Sequence, residues 1–282
     1  MYVSMTPLLA EATRVGYTVG AFNAHNLEMV PPMIRAARDL GAPIIIQTSP
    51  GTARYVGMRN FVAVCRSMAS DEIVDVALHL DHATNLTDIR DAIEAGYSSV
   101  MFDGSQLPFT RNVATSRRVI EYARDHGASV ETEIGTIGGT EEGIRNKVGV
   151  YTQPEEAVRF LQEVDTDALA VSIGTNHGQF KAKTRLDLDL LSRIHRAVDV
   201  PLVIHGGTGV DEADYPQLTA DGIRKFNVGT ELLVGWTRTA QERFAATKVN
   251  SSLRNNIVPC NDVVHDIVAH KISLFMGADR SQ

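Results

Sequence analysis

Short apolar runs rich in β-branched residues recur along the chain, and each is followed by a stretch with helical periodicity. The runs are "YTVGAFN", "APIIIQTS", "VDVALHLD", "SSVMFDG", "ASVETEIG", "ALAVSIG", "PLVIHGG" and "IRKFNVGT". Helical stretches such as "LEMVPPMIRAARDLG", "TDIRDAIEAG", "NVATSRRVIEYARDHG", "PEEAVRFLQEV" and "DLLSRIHRAV" lie between them. Gly41, Gly96 and Gly127 close three of these stretches, as expected where a helix ends in a left-handed cap. Strands alternating with helices predict right-handed βαβ units and a parallel sheet. Eight such units predict an α/β chain closed into a (β/α)8 TIM barrel. A doubly wound open sheet is the alternative, but the Gly-rich dinucleotide fingerprint after the first strand is missing. From about residue 230 the pattern is helical, which predicts additional C-terminal helices that cover the barrel or make an oligomer contact. No linker or low-complexity tract divides residues 1–282, which read as a single domain.

Composition changes this picture only by exclusion. Hydrophobic residues make up 44% and charged residues 22% of the 282, enough for a sizeable core. A net charge of −7 argues against a nucleic-acid or anionic-membrane surface, which needs a basic footprint. A small phosphorylated ligand stays open, because a local nest of amides can hold it. Cys65 and Cys260 are the two cysteines; they supply neither a disulfide framework nor a thiolate zinc motif, which suits a reducing cytosol. The start "MYVSMTPLLAEATRVGY" has no basic region ahead of its short apolar stretch, unlike a secretory signal. No apolar run reaches the ~20 residues that span a bilayer, and a cytoplasmic protein is expected.

A barrel presents its chemistry at the C-terminal ends of its strands. Asn23, Gln47, Asp81, His82, Asp103, Glu133, His177, His205 and Asn227 all fall at or just beyond those ends. Of the nine histidines, His126, His195, His265 and His270 lie in helical patterns and read as solvated. His79 lies inside the third strand and reads as a hydrogen-bonded core residue, while His25 opens a helix and stays ambiguous. His82, His177 and His205 sit at three different strand ends, in "LDHATN", "GTNHGQF" and "VIHGGTG". Three converging imidazoles with one open position make a common catalytic zinc arrangement. Asp103 and Glu133 could add a second or alternative metal position, or simply hydrogen-bond at the mouth. Two glycine turns, "HGGTGVDEADY" and "NVGTELL", follow the seventh and eighth strands, where barrels most often cradle phosphate with helix N-terminal amides. "EIGTIGGTEEGIRNK" has the character of a lid with Glu141 and Glu142 at its tip. A metal beside a phosphate cradle suits chemistry on a phosphorylated carbonyl compound, with Asp81 and Glu141 as proton-handling groups.

The motifs "LHLDH", "VETEIGTIGGTEEG", "GTNHG", "HGGTG" and "NVGTE" resemble those of the class II, zinc-dependent ketose-bisphosphate aldolases, in order and spacing, over essentially the whole chain. The resemblance implies that His82, His177 and His205 hold zinc and that Asp81 is the acid/base at the cleaved bond. It implies that Glu141 moves the proton of dihydroxyacetone phosphate, with Asp103 and Glu133 at an alternative metal position. It matches Gly178, Gly206, Gly207, Thr208, Asn227, Val228, Gly229 and Thr230 to dihydroxyacetone-phosphate contacts. Gly178 and Gly206 are further implied to help hold a monovalent cation, Na+ or K+. Asn23, Gln47 and Ser49 match other substrate-side positions, and a homodimer or homotetramer is implied. "NVGTE", "FNAHN", "SPGT" and "FDGS" look more like the tagatose-bisphosphate branch than the fructose branch. The family's "DPR" segment reads "SLR" here, leaving Arg254 to meet the distal phosphate. Four other readings stand beside this one. They are a class II aldolase joining dihydroxyacetone phosphate to another aldehyde, a Schiff-base aldolase built on Lys225, a non-catalytic phosphate-binding barrel, and a zinc hydrolase. The last lacks an H-x-H pair on the first strand.

Overall fold

A computed structural model of the chain describes residues 1–141, 144–146, 149–177 and 185–277, without the side chains of residues 139–141, 144–146 and 176–177. Its strands are β1 (Val19–Asn23), β2 (Ile44–Thr48), β3 (Val76–Ala83), β4 (Ser99–Phe102), β5 (Ser129–Ile134), β6 (Gly138–Glu141), β7 (Ile144–Asn146), β8 (Ala168–Val171), β9 (Asn176–His177), β10 (Leu202–Ile204) and β11 (Ile223–Val228). The first six helices are α1 (Met5–Val15), α2 (Val30–Asp39), α3 (Pro50–Val56), α4 (Met58–Asp71), α5 (Leu86–Ala95) and α6 (Phe109–Asp125). They are followed by α7 (Pro154–Leu161), α8 (Leu188–Ala197), α9 (Tyr215–Ala220), α10 (Thr230–Ala246) and α11 (Leu253–Met276).

Eight strands close in the order β1-β11-β10-β8-β5-β4-β3-β2, every neighbouring pair parallel. The eight expected strands are these eight, and the barrel is the one the alternation of elements predicts. Gly96 caps α5 in the left-handed region, and Gly41 and Gly127 take positive φ just past α2 and α6, as the sequence requires of glycine there.

Strand periodicity sorts the side chains into two cores. Leu78, Leu80, Val100, Phe102, Leu169, Val171, Phe226 and Val228 point outward and pack under the helices. Val19, Ala21, Ile45, Ala77, Met101, Ala168, Ala170 and Val203 belong to a separate inner cluster with Met5, Leu8, Leu9 and Ala12 of α1. Helix α1 therefore plugs the base of the barrel, and the backbone N–H of Met5 donates to Ser129 Oγ at 2.9 Å. Above the plug the inward-facing positions become polar, and the candidate chemistry begins there.

Two features are added to the eight strands of the barrel. A small sheet, in the order β7-β6-β9, joins the "EIGTIGGTEEGIRNK" stretch to the segment after β8. At the far end α10 and α11 pack antiparallel: Lys271 lies 3.4 Å from Glu231, and Arg243 reaches the Asn255 carbonyl at 3.5 Å. No helix among the described residues is long and apolar enough to cross a membrane.

The basal plug generates a stability prediction. Leu9 is 1% exposed, so Leu9→Ala should cost about 2–5 kcal/mol through lost burial and the cavity left behind. Urea unfolding measures this; a loss well below 1 kcal/mol would show that the base collapses around the gap.

Candidate active site

The site begins with an irregularity in β3. Leu80 pairs with Val100 and Ala83 with Phe102, so Asp81 and His82 together stand opposite the single residue Met101. His82 takes a φ of 52°, in the left-handed region that non-glycine residues seldom occupy but histidine tolerates better than most. This bulge re-aims one side chain. His79 and Asp81 face inward by the ordinary alternation, and the extra residue lets His82 face inward as well, with Ala83 restored to the outer core. Asp81 and His82 thus lie inside the strand rather than at its end, and the bulge is why two neighbours serve one site.

Asp81 is buried, and three amide nitrogens donate to its carboxylate. Asn23 Nδ2 lies 2.9 Å and Gln47 Nε2 3.1 Å from Oδ2, and Asn227 Nδ2 lies 3.2 Å from Oδ1. Gln47 Nε2 also donates to Asn23 Oδ1 at 2.8 Å. Burial alone would push the Asp81 carboxyl up. The opposing pull of His82, His205 and Lys225, with the Asn23 hydrogen bond, holds it below the usual carboxylate range.

The imidazoles of His82 and His205 meet edge to face, with centroids 4.4 Å apart. His82 Nε2 lies 2.8 Å from His205 Nδ1. The other nitrogen of His205, Nε2, lies 2.6 Å from Glu131 Oε1. A carboxylate only accepts, so the hydrogen of His205 is assigned to Nε2 and its Nδ1 lone pair faces His82. On its far side His82 Nδ1 lies 3.4 Å from Asp103 Oδ2 and 4.0 Å from Glu133 Oε2. Asp103 also accepts from Ser105 N–H at 3.0 Å and Ser105 Oγ at 2.6 Å. Burial opposes ionisation of Asp103, but the bonds from His82 and Ser105 hold it well below its ordinary range.

Two donor sets result among the described residues, Asp81–His82–His205 and His82–Asp103–Glu133. His82 belongs to both and offers one ring nitrogen to each. Imidazole nitrogen with carboxylate oxygen is the donor chemistry of zinc and related divalent metals. The facing nitrogens of His82 and His205 beside the Asp81 carboxylate form a donor set that a cation can take, so the residues fit a metal.

The other expected residues fall as follows. His177 lies in β9 beyond β8, its backbone paired with Gly139, and Glu141 ends β6 opposite Ile144; both side chains lie outside the described residues, as do Glu142 and Gly178. Ser49 caps α3, its Oγ accepting from Thr52 N–H at 3.3 Å. Gly206 has φ 65°. A Cβ on Gly207 would lie 2.0 Å from the Phe226 ring and 2.9 Å from the Asn227 carbonyl, so the turn after β10 has room only for glycine. Thr208 follows in the same turn, and Val228 ends β11. Gly229 caps α10, which opens at Thr230, and a Cβ on Gly229 would lie 2.9 Å from Asn23 Oδ1. Asn23, Gln47, Asp81, His82, Asp103, Glu133, His205 and Asn227 therefore share one mouth. Arg254 does not join them. It is exposed in the first turn of α11, about 25 Å along that helix from Lys271 at 1.5 Å per residue.

His79 is the hydrogen-bonded core residue expected, its Nδ1 2.7 Å from Ser99 Oγ. Lys225, the residue a Schiff-base enzyme would need, is fully buried. Its Nζ is committed to Glu131 Oε2 at 2.9 Å and to Asn227 Oδ1 at 2.6 Å. Glu131 is not among the residues expected at the site. The signal was there in "VETEIG", where a period of two puts Glu131 on the same face as Glu133.

Known proteins resemble the chain in sequence and in fold. The family described as Fructose-bisphosphate aldolase class-II matches residues 3–280. The D-tagatose-1,6-bisphosphate aldolase subunit GatY of Klebsiella oxytoca is 38% identical over 268 residues, 94% of each chain. The YdjI aldolase of Escherichia coli superposes with a TM-score of 0.87 at 28% identity over the whole of both chains. The fructose-bisphosphate aldolase Fba of Campylobacter jejuni shares the fold, with a TM-score of 0.83 at 21% identity over 97% of this chain and 95% of its own.

The buried histidine beneath the mouth generates a pH prediction. Burial first, and then the Lys225 charge, holds His79 well below its ordinary value of 6.5. The folded protein keeps it neutral while the unfolded chain takes up a proton as pH falls through that value. Its contribution is therefore complete above about pH 6.5 and declines below it by about 1.4 kcal/mol per pH unit. His79→Asn should flatten the fall in unfolding free energy between pH 7 and 5 by about that slope. An unchanged slope would mean that the folded protein protonates His79.

Proposed function

Because the chain belongs to the class-II fructose-bisphosphate aldolase family, we propose that it reversibly cleaves a ketohexose 1,6-bisphosphate with the aid of zinc. The products are dihydroxyacetone phosphate and glyceraldehyde 3-phosphate, and tagatose is favoured over fructose. Membership makes the chain a lyase of a metal-dependent class acting on phosphorylated sugars. The preference for tagatose is supported by the 38% identity to the tagatose-1,6-bisphosphate aldolase subunit.

The observation that carries the reading is a fully hydrogen-bonded buried carboxylate, Asp81, set directly beside the facing nitrogens of His82 and His205. His82, His177 and His205 would hold the zinc, with Asp103 and Glu133 as its alternative position through the second nitrogen of His82. When bound, zinc supplies a Lewis acid that draws electron density from the ketose carbonyl. Asp81 takes the proton of the C4 hydroxyl as the C3–C4 bond breaks. The electron pair of that bond stays with the three-carbon fragment, and Glu141 delivers a proton to its C3. Asn23, Gln47 and Asn227 keep the Asp81 carboxylate aimed and ionised for this transfer.

The turn Gly206–Gly207–Thr208 and the N-terminus of α10 at Asn227, Val228, Gly229 and Thr230 would bind the phosphate of the dihydroxyacetone half. Helix N-terminal amides favour an anion there. Gly178 and Gly206 would hold the monovalent cation with their carbonyls, and Ser49 would meet substrate from the β2 side. Arg254 stands in the first turn of α11, away from the mouth, so its proposed contact with the distal phosphate and the homodimer or homotetramer are a single proposal. The start of α11 in one copy would serve the mouth of another. The low cysteine content supports a cytoplasmic site of action.

Two outcomes are expected. Tagatose 1,6-bisphosphate should be cleaved faster than fructose 1,6-bisphosphate, with both activities abolished by a chelator and restored by zinc. Activity that survives chelation, or borohydride trapping of a lysine adduct, would remove the metal reading. Asp81→Ala should lower turnover by about 10²–10⁴-fold, the range for a positioned acid/base, while zinc measured by atomic absorption stays bound. Unchanged turnover would take Asp81 out of the role.

A further inference from the structure

Beneath the mouth lies a second polar layer to which the cleavage chemistry assigns no part. Glu131, Lys225, His79 and Ser99 are all 0% exposed. Charges this deep in a barrel are expensive unless paired, and a buried pair gains little net stability over apolar residues of similar volume. Folding alone does not explain why the interior holds them.

The contacts give another explanation. Glu131 spends one oxygen on Lys225 Nζ, at 2.9 Å, and the other on His205 Nε2, at 2.6 Å. His79 Nε2 stands 3.7 Å from the same carboxylate. Lys225 spends a second hydrogen on Asn227 Oδ1 at 2.6 Å. An ammonium can only donate, so the Asn227 atom facing it must be the carbonyl oxygen. The Asn227 amide nitrogen is thereby turned to Asp81 Oδ1, 3.2 Å away, and to His205 Nδ1, 2.9 Å away. Without the ammonium the amide could rotate and set its oxygen against the Asp81 carboxylate.

We propose that Glu131 and Lys225 are a positioning pair for the two halves of the site. Glu131 fixes His205 with its hydrogen on Nε2 and the lone pair of its Nδ1 turned toward the metal position. Lys225 pairs Glu131 and fixes the polarity of Asn227 toward Asp81. Neither residue touches substrate. Carboxylate partners of this kind set the tautomer and ring orientation of metal-binding histidines, and their loss lowers metal affinity by about 10–100-fold.

The inference rests on the reading of His205 as a zinc ligand, and the experiment separates the two. Zinc affinity of the full-length protein is measured by competition with a chromophoric chelator for the wild type, Glu131→Gln and the double variant Glu131→Gln/Lys225→Met. The double variant removes both charges at nearly constant volume, so it leaves no unpaired buried ion. Circular dichroism should show it folded, with zinc bound about 10–100-fold more weakly than by the wild type. A folded double variant with wild-type zinc affinity would overturn the proposal. A wild type that binds no zinc would instead overturn the metal reading beneath it. If the variants do not fold, 15N chemical shifts of the His205 ring in the zinc-loaded wild type decide the matter. Hydrogen on Nε2 with Nδ1 at the metal is expected, and the reverse arrangement would refute it.

Discussion

Neighbouring residues of a strand point to opposite sides of a sheet, yet this site needs Asp81 and His82 on the same side. The bulge in β3 resolves the conflict. By placing two residues opposite Met101 and carrying His82 at a φ of 52°, it turns both side chains into the mouth. Strained backbone of this kind costs on the order of 1–3 kcal/mol and persists where the surroundings fix it. Here they do: Leu80 and Ala83 anchor the bulge in the outer core on either side, and Asp81 is tied to three other strands through Asn23, Gln47 and Asn227. Much of the mouth is arranged around that one kink. His82 alone bridges the two donor sets, so a regular β3 would leave Asp103 and Glu133 without their histidine.

The barrel interior is graded along its axis to support this mouth. At the base, small side chains such as Ala21, Ala77, Ala168 and Ala170 leave room for Met5, Leu8 and Leu9 of α1 to enter from below. The long polar side chains of Glu131 and Lys225 occupy the level above, and the amides, carboxylates and imidazoles of the mouth lie above them. Buried charge is tolerable in the middle level because each group has a partner of the right kind, an ammonium against a carboxylate and a carboxylate against an N–H. The apolar plug keeps water away from that level from below. The same exclusion of water that makes an unpaired charge costly there makes each hydrogen bond directional and strong.

Much of this was legible in the sequence because it follows from period and position. Eight apolar runs separated by helical stretches specify the closed parallel barrel, and the polar residues at their ends specify its mouth, from Asn23 and Gln47 through Asp103 and Glu133 to His205 and Asn227. Three things were not legible. The bulge has no local signature in "LHLDHATN", since neither glycine nor proline marks it and only the long-range pairing with β4 reveals the extra residue. Glu131 was visible as an inward position, but its importance depends on His205 and Lys225, which are remote in sequence and adjacent only once the barrel closes. The placement of Arg254 depends on how α10 and α11 pack, and helical periodicity cannot say that they pack against each other as an antiparallel pair with Arg254 at its end.

The small sheet outside the barrel ties two of the sequence motifs together more tightly than their separation suggests. Gly138 and Gly139 of β6 pair with Asn176 and His177 of β9, and β6 turns antiparallel into β7 with Glu141 opposite Ile144. The backbone at Glu141 and the backbone at His177 thus belong to strands of one ladder. Its hydrogen bonds fix their register, so one cannot shift along the strand direction without the other. The barrel strands position Asp81, His82 and His205 independently of this ladder. With Glu141 and His177 in the roles proposed for them, the site has one part built on the barrel and another built on β6 and β9. In the proposed reaction the barrel part would take the hydroxyl proton, and the other would deliver the proton to carbon.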